Sequence, residues 1–465
     1  MSLSSALNIA RSGLGVTALQ ADLVSRNIAK ADADGHTRKA AQITTGPTGE
    51  VRVSAIDRSV DNLLIRLDRS NASALSAKTT IAEGIKAYTD FLGQPSDETS
   101  PTAKLSALNT ALATLSGVPG EQASQLAVVS AARGMAENLN TLSGVLGDVS
   151  DEVEYNIRYD VSSVNDALQR ISALNTKILN TDKGSAKMGE HRDALDALID
   201  TVTEFMDVQT VATADGAVNL YTGGGTELVV GDTVHDLSYN AVSGSLFAGK
   251  VDITPGRQTR GISHGALSGL FELKTRVLPS FTAQLDSMAG ALVQGFEAAN
   301  PFGAGGTGLF TDAGAGFDGS ATKGLAGRIS LNEAVDPQSG GSTALLQSGG
   351  VATTPAGDAS FVFAMIDTFD APVSVDTAGL GAALSLVDLG ATLVSSQQGA
   401  RATMQSDVAA TRAAGDTIAA SRANFQGVNI DDEMQKLLLI EQSYKANAKV
   451  LTSVSEMLDT LLAAV

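Results

Sequence analysis

Apolar side chains recur at three- and four-residue steps along the first thirty residues, which predicts a helix with a narrow seam of the coiled-coil kind. A second apolar stripe lies beside this seam, at Ile9, Val16, Leu19 and Leu23. Two stripes on one helix predict more than one neighbour, and we expect adjoining subunits to bury the second stripe. Turn-forming residues at 30–35 (KADADG) then end the helix. The members of the first seam are Leu3, Leu7, Ala10, Leu14, Thr17, Ala21, Val24 and Ile28.

The last thirty residues carry a seam of the same kind in a stricter form. It consists of Leu437, Ile440, Tyr444, Asn447, Leu451, Val454, Leu458 and Leu461. A lone Asn in such a seam lowers stability but fixes the register or the number of partners. Since chain ends fray unless they are docked, we interpret the terminal helices as packing on each other or on another subunit; an ordinary intramolecular core is the alternative. The candidate assembly residues are these eight with Leu3, Leu7, Leu14, Val24, Asn27 and Ile28.

Helical and strand-like patterns alternate between the two ends. Helical spacing runs from about 63 to 205, and its longest part, 125–180, contains no proline. If unbroken, that part would form a rod of roughly 80 Å, which indicates an elongated molecule. Period-two runs with Gly-rich turns occupy 206–262 and predict a small antiparallel β domain. Helical spacing returns over 263–299.

These patterns predict a mainly α protein with a β-rich part, that is, an elongated α+β protein of several domains. Residues 300–380 are rich in Gly, Ser, Thr and Ala, which predicts a β or loop insertion. Helical spacing resumes near 384 and is broken near 426–432. The predicted domains are a terminal coiled-coil domain (1–40 and 430–465), a helical domain (41–205, 263–299 and 381–429), the β domain (206–262) and the insertion (300–380).

Composition removes several classes of function. The 465 residues include no cysteine, which excludes disulfides, thiolate nucleophiles and cysteine-ligated zinc. A formal net charge of −19 opposes a phosphate backbone, so nucleic acid is not an expected partner. No stretch approaches the ~20 apolar residues of a membrane span, so no membrane partner is expected. The first residues lack the pattern of a secretory signal peptide, and on these grounds alone we expect a cytoplasmic protein.

Three short motifs resemble catalytic or binding signatures, and each lacks a required part. Residues 244–250 (GSLFAGK) have phosphate-loop spacing, but Val251 stands where Ser or Thr must bind magnesium, which favours a hairpin turn. The triplet 191–193 (HRD) resembles a kinase catalytic loop without the other kinase motifs, and we interpret it as a solvated helix face. Residues 30–35 resemble half of a calcium loop, with Lys30 and Ala41 at ligand positions, and a helix-ending turn explains them better.

The remaining candidates are weaker still. Two glycine triplets, at 303, 305 and 308 and at 314, 316 and 319, have dinucleotide-binding spacing, but neither follows a convincing strand or opens a helix. No nucleophile elbow occurs. We therefore predict a protein without catalytic residues, metal site or cofactor. The histidines, which have no metal-like spacing, are His36, His191, His235 and His264.

Both ends of the chain resemble the terminal motifs of the bacterial flagellar rod, hook and hook-associated proteins. At the amino end, residues 25–31 (SRNIAKA) and 35–38 (GHTR) match this family's signature, with Lys30 in place of Asn and His36 in place of Tyr. Arg58 and Asp61 match its R-x-x-D. At the carboxy end the matching segments are 427–433 (GVNIDDE), 444–450 (YKANAKV) and 457–462 (MLDTLL).

The interior is similar to the hook-associated members of the family, whereas 300–380 matches least. The segments that carry this similarity are 192–198 (RDALDAL), 215–216 (DG), 225–231 (GTELVVG), 265–270 (GALSGL), 278–279 (LP) and 285–286 (LD).

The resemblance implies a non-enzymatic structural subunit of the hook–filament junction. Such proteins leave the cell through the flagellar type III export channel without a cleaved signal peptide, so the expected location is the flagellum rather than the cytoplasm. It implies paired terminal helices as an inner coiled-coil domain, and assembly into a ring or helical array. The implied partners are further copies of the chain, hook protein, a second junction protein or flagellin on the filament side, and an export chaperone on the carboxy-terminal helix.

Two alternatives remain open at this point. Another axial subunit, a hook or rod protein, would share both ends but would be rich in strands between them. A cytoplasmic enzyme or adhesin would use the Gly-rich segments, which the mismatch at Val251 disfavours.

Overall fold

The structure is a computed structural model and describes residues 3–463, except 34, 183–184, 258, 300–301, 303–305, 352 and 356; side chains are described up to residue 460. Helices make up 62% of the chain, roughly twice the usual share of a globular protein. Every pairing between named strands in the described residues is antiparallel. The predicted fold class, mainly α with a smaller β part, is confirmed.

Twelve α-helices occur in the described part of the chain. The longest, α5, has 58 residues, which confirms the uninterrupted helix predicted near 125–180. The predicted break near 426–432 is the short gap between the last two helices. The helices are α1 (Leu3–Ala29), α2 (Asn62–Gly84), α3 (Lys86–Leu92), α4 (Pro101–Gly117), α5 (Gln122–Leu179), α6 (Ala186–Phe205), α7 (Ala266–Glu272), α8 (Leu278–Ala299), α9 (Leu345–Ser348), α10 (Ser360–Asp367), α11 (Leu386–Gln426) and α12 (Ile430–Ala463).

Eleven strands form four small sheets within the same residues. β1 and β2 form a hairpin directly after α1, two sheets lie between α6 and α7, and one ribbon follows α8. In the order of their sheets the strands are β1 (Lys39–Thr45) and β2 (Val51–Arg58); β3 (Val208–Ala212), β4 (Val218–Thr222), β5 (Glu227–Val230) and β6 (Thr233–Val234); β7 (Leu237–Asn240), β8 (Ser245–Ala248) and β9 (Val251–Asp252); β10 (Phe310–Asp312) and β11 (Ile329–Leu331).

The chain folds into two compact units. The first unit contains Met1–Ala77, Arg158–Ser268 and Ala409–Val465, and therefore holds both terminal helices. The second unit contains Lys78–Ile157 and Gly269–Val408.

In the first unit, side-chain amides of α5 bind the backbone of two strands. Asn175 donates to the carbonyl of Val218 in β4 (2.8 Å) and accepts from its N–H (3.0 Å). Asn165 makes the same pair of hydrogen bonds with Leu237 in β7 (2.9 and 2.6 Å). Each amide thus takes the place of a peptide group in a neighbouring strand, and satisfies backbone groups that a helix alone would leave unpaired.

In the second unit, α8 forms the centre of the core. Phe296 meets Phe310 and Phe369 edge to face, with ring centroids 5.3 and 5.8 Å apart. A buried polar chain crosses this core, because the hydroxyl of Tyr88 donates to Gln397 (2.6 Å) and Gln397 donates to Gln284 (2.8 Å). The Gln397 amide therefore accepts a hydrogen bond from the Tyr88 hydroxyl, which would otherwise be buried without a partner among apolar side chains.

A widened, π-helical turn at Leu273–Val277 separates α7 from α8. Pro279 follows at once and has no N–H for the carbonyl four residues earlier, so the helical ladder is interrupted there. Beyond α8, the segment 300–380 contains the β10–β11 ribbon together with the short helices α9 and α10.

Candidate assembly surface at the terminal helices

The terminal helices α1 and α12 pack on each other in antiparallel order. Asn27 lies beside Glu433, and a Cβ atom at Gly13 would lie 2.9 Å from the Asn447 amide nitrogen. Residue numbers thus rise along one helix as they fall along the other. Glycine at position 13 lets the Asn447 side chain approach the α1 backbone, and with a larger residue there this side chain would have to move.

The predicted assembly residues differ in how far this pairing buries them. On α1, Val24 and Asn27 are buried, whereas Leu3, Leu7, Leu14 and Ile28 are half-buried. Of the predicted residues on α12 whose side chains the structure describes, only Val454 is buried, and Tyr444 is 48% exposed. The side chain of Leu461 lies outside the described residues. The half-buried members of the α12 seam are Leu437, Ile440, Asn447, Leu451 and Leu458.

The second stripe of α1 is covered by the chain itself. Val16 and Leu23 are 8% and 2% exposed, and the β1–β2 hairpin packs on α1. Ser12, on the same side of the helix, accepts a hydrogen bond from the N–H of Val51 in β2 (3.1 Å). The expectation that adjoining subunits bury this stripe is therefore wrong for Val16 and Leu23, since a short hairpin later in the chain supplies the second neighbour.

A polar cluster, here called the terminal junction, joins α1, β1 and α12. It consists of Asn27, Lys39, Glu433 and Lys436. The Asn27 amide group bonds the backbone of Lys39 twice (2.9 and 3.1 Å) and donates to Glu433 Oε2 (2.9 Å). Lys436 Nζ lies 2.5 Å from Glu433 Oε1 and supplies the opposite charge. The junction brings the two terminal sequence motifs, 25–31 and 427–433, into one site.

A row of ion pairs begins at Lys39 and runs along one face of α6. The acidic residues of α6 that take part are at positions 193, 196 and 200, three and four residues apart, so they share that face. Since the Asp193 side chain is only 15% exposed, the interpretation of 191–193 as a solvated face is wrong for this residue. The contacts are Lys39 to Asp193 (2.5 Å), Arg58 to Asp193 (2.9 Å) and Asp196 (2.5 Å), Arg69 to Asp196 (3.1 Å) and Asp200 (2.6 Å), and Arg422 to Asp200 (3.4 Å).

The outer flank of α12 carries an exposed apolar stripe, defined here as Leu439, Val450 and Met457. These side chains are 63%, 48% and 56% exposed. By helical geometry they lie roughly 60–80° around the helix from Asn447, which faces α1. The outer positions of α1, in contrast, are polar or small, such as Asn8, Arg11 and Asp22. The apolar surface that the terminal pair leaves open therefore belongs to α12.

The motifs that resembled catalytic or binding signatures have structural roles. Gly244 and Gly249 flank β8 with φ angles of +61° and +57°, so the segment 244–250 is part of a β-hairpin, as predicted. Asp34, Gly303 and Gly305 lie outside the described residues. Among the described residues, no three His, Asp or Glu side chains are placed to hold a metal ion.

A groove of about 970 Å³ in the second unit is lined by Ser143, Lys274, Asp286, Gln294 and Lys323, among others. Its Asp286 accepts hydrogen bonds from the N–H groups of Gly324 (2.7 Å) and Ala326 (2.9 Å). Burial raises the pKa of Asp286, while these hydrogen bonds oppose the shift. The carboxylate therefore holds a turn in place. Within the described residues, no helix has an apolar stretch long enough to cross a lipid bilayer.

Two family models match the chain. Residues 88–317 match the helical domain of the flagellar hook-associated protein FlgK. Residues 419–464, which include α12, match the C-terminal region of the flagellar basal body rod FlgEFG proteins.

Curated relatives agree with these matches. Flagellar hook-associated protein 1 of Salmonella typhimurium is 26% identical over 315 residues, which cover 64% of this chain and 56% of the relative. The chain thus matches little more than half the length of that relative. The protein of the same name from Bacillus subtilis is 22% identical over 504 residues, covering 98% of this chain and 97% of the relative.

One solved structure is also similar, that of the flagellar hook junction protein FlgK from Burkholderia pseudomallei. It has a TM-score of 0.45 and 18% identity, and it covers 53% of this chain and 46% of that chain.

The terminal helices pack on each other, and the segment between them is largely helical. Flagellar family models match both this interior and the carboxy end. Together these features define a protein of the flagellar axial class. Within that class, the chain is similar to flagellar hook-associated protein 1, FlgK.

Proposed function

We propose that this chain is a structural, non-enzymatic subunit of the bacterial flagellum, which is exported by the flagellar type III system and assembles at the hook–filament junction. Its neighbours there are further copies of itself in a ring or helical array, hook protein on one side, and a second junction protein or flagellin on the other. Before export, a chaperone binds the carboxy-terminal helix.

The observation that carries this proposal is the exposed apolar stripe of α12. Burying a large apolar side chain contributes about 1.5–3 kcal/mol, and three such side chains stand in water on one flank of a helix. A free surface of this kind on a terminal helix fits a chain that is covered by neighbours of its own type. The helical interior supports a hook-associated subunit over the rival hook or rod protein, which would be rich in strands.

The position of the protein on isolated flagella tests the proposal directly. A tagged chain, visualised by immunogold labelling, is expected to form a narrow band where hook and filament meet. Label along the filament, along the hook or in the cytosol would contradict the proposed location.

Two substitutions next to each other on α12 test the proposed assembly surface. Val450→Asp places a charge on the exposed stripe and is expected to abolish incorporation into flagella while the free chain keeps its thermal stability. Leu451→Asp, half-buried on the side of Asn447, is expected to loosen the terminal pair itself and to lower stability by about 2 kcal/mol.

The matched control is Thr452→Asp, which adds the same charge on an exposed position away from the stripe. Incorporation at the normal level is expected for this variant. If Val450→Asp were incorporated as efficiently as Thr452→Asp, the stripe would not be an assembly surface.

A further inference from the structure

The Asn27 side chain uses every hydrogen-bonding group that it has. Its two N–H groups go to the carbonyl of Lys39 and to Glu433 Oε2, both at 2.9 Å, and its oxygen accepts the Lys39 N–H at 3.1 Å. Asn27 and Glu433 are each 1% exposed. Aspartate has no donor and serine has one, so neither can replace this amide.

Beyond the terminal junction, α12 packs on α1 only through a shallow seam. From residue 434 to 460, Val454 is the one buried side chain. Tyr444 is exposed and the other described seam residues are half-buried, so each contributes only part of its transfer free energy. The junction, in contrast, stands where both helices join the rest of the first unit, because the N–H of Arg38 donates to the carbonyl of Gln426 (3.0 Å), just before α12 begins.

We propose that Asn27 is a positioning residue that holds the first turns of α12 on α1 within a single chain, and that Glu433 is its partner. Asn27 then makes its contact within one chain, whereas the sequence alone left both a contact within the chain and a contact with another subunit open. Loss of the amide leaves the Glu433 carboxylate buried with only Lys436 to compensate it, and an unsatisfied buried carboxylate favours release of the helix. This inference concerns the free chain and does not rest on the proposed function.

Amide hydrogen exchange of the full-length chain, measured by mass spectrometry at a concentration where it is monomeric, tests the inference. Asn27→Ala and Glu433→Ala are each expected to accelerate exchange of residues 430–450 by about 10-fold or more. Because both remove the same interaction, the double variant is expected to exchange no faster than the faster single variant. Glu433→Gln keeps an acceptor oxygen and is expected to restore most of the protection.

The matched control is Ser25→Ala, an exposed position two residues from Asn27, which is expected to exchange like the unmodified chain. Asn27→Asp places a second carboxylate against Glu433 and is expected to accelerate exchange of residues 430–450 more than Asn27→Ala does. Combining Asn27→Asp with Glu433→Gln is expected to remove this additional acceleration.

Additive effects in the double variant, or unchanged exchange in Asn27→Ala, would overturn the assignment. If Asn27→Ala does not fold, the comparison of Glu433→Gln with Glu433→Ala decides instead. Equal exchange in those two variants would show that the acceptor for Asn27 is unimportant.

Discussion

His36, which replaces the tyrosine of the family signature, occupies an unusual setting for a histidine. Its side chain is 6% exposed, with Nδ1 3.5 Å from Lys39 Nζ and 3.8 Å from Asp193 Oδ2. Its Nε2 is buried without a hydrogen-bond partner among the described residues. Burial, then Lys39, lowers the pKa of His36; Lys30 acts in the same direction, while Asp193 and Glu190 raise it. The neutral imidazole is therefore the form that the fold prefers.

This preference predicts that His36 destabilises the first unit in mild acid. Below the ordinary histidine pKa of 6.5, His36 of the unfolded chain takes up a proton that the folded chain resists, so its contribution to the free energy of unfolding falls as the pH drops from 6.5 toward the lowered pKa. Burial raises the pKa of Asp160 in the same unit to about 6, which acts in the opposite direction. His36→Phe removes the titrating imidazole, so the variant is expected to gain stability relative to the unmodified chain as the pH falls. Urea unfolding at a series of pH values from about 7.5 to 5 measures it.

The control for this experiment is His264→Asn, which removes a histidine from an exposed position. It is expected to keep the pH dependence of the unmodified chain. A slope that is identical in His36→Phe and the unmodified chain would show that other groups cause the acid sensitivity.

At the scale of the elements, one device recurs three times in the first unit. Asn27, Asn165 and Asn175 each project from a helix and bind one residue of a strand through both its N–H and its carbonyl. An asparagine amide has the donor and acceptor of a peptide group in one plane, so it can stand in for the next strand of a sheet. Small sheets of short strands thereby become attached to long helices.

Removing one of these asparagine side chains is expected to lower the free energy of unfolding more than removing an ordinary surface contact does. Asn175→Ala leaves the N–H and the carbonyl of Val218 unpaired at a site where Asn175 itself is 1% exposed. We expect the free energy of unfolding to fall by about 2–3 kcal/mol, since an unsatisfied buried polar group costs about 1–3 kcal/mol. Asn180→Ala is the control, since the Asn180 amide donates to the carbonyl of Thr176 in the last turn of α5 and is exposed. A loss of stability as large in that variant would contradict this explanation.

For the whole molecule, electrostatic repulsion between copies opposes assembly. Each chain carries a formal net charge of −19, so copies that gather on one axis repel each other. Salt screens exposed charges beyond about 10 Å at 0.1 M. We therefore expect self-association of the purified chain to strengthen as NaCl rises from about 0.05 to 0.5 M, as followed by sedimentation velocity. Weaker association at high salt would show that attraction between charged groups drives the contact instead.

Over the whole molecule, elements with local sequence patterns were predictable, whereas contacts between distant segments were not. Helix α5 was predictable because its apolar positions recur over many turns, and the β sheets between α6 and α7 were predictable from their period-two runs and Gly turns. The contact between Asn27 and Glu433 was not predictable, because the two residues are 406 residues apart and nothing in either terminal motif shows that they pair. Asp193 was missed for a related reason: its partners Lys39 and Arg58 come from the distant hairpin, although the spacing of 193, 196 and 200 was a usable signal.

The glycine that admits Asn447 has a consequence for the order in which the chain becomes structured. Glycine inside a helix costs about 1 kcal/mol relative to alanine, and α1 contains both Gly13 and Gly15, so this helix is weak without its partner. That partner is translated much later, since the Asn27–Glu433 contact spans 406 residues. At ~5–20 residues per second the ribosome needs roughly 20–80 s to cover that distance. Helix α1 is therefore synthesised long before α12 can complete it, and during that interval its seam stays open to any other helix that matches it.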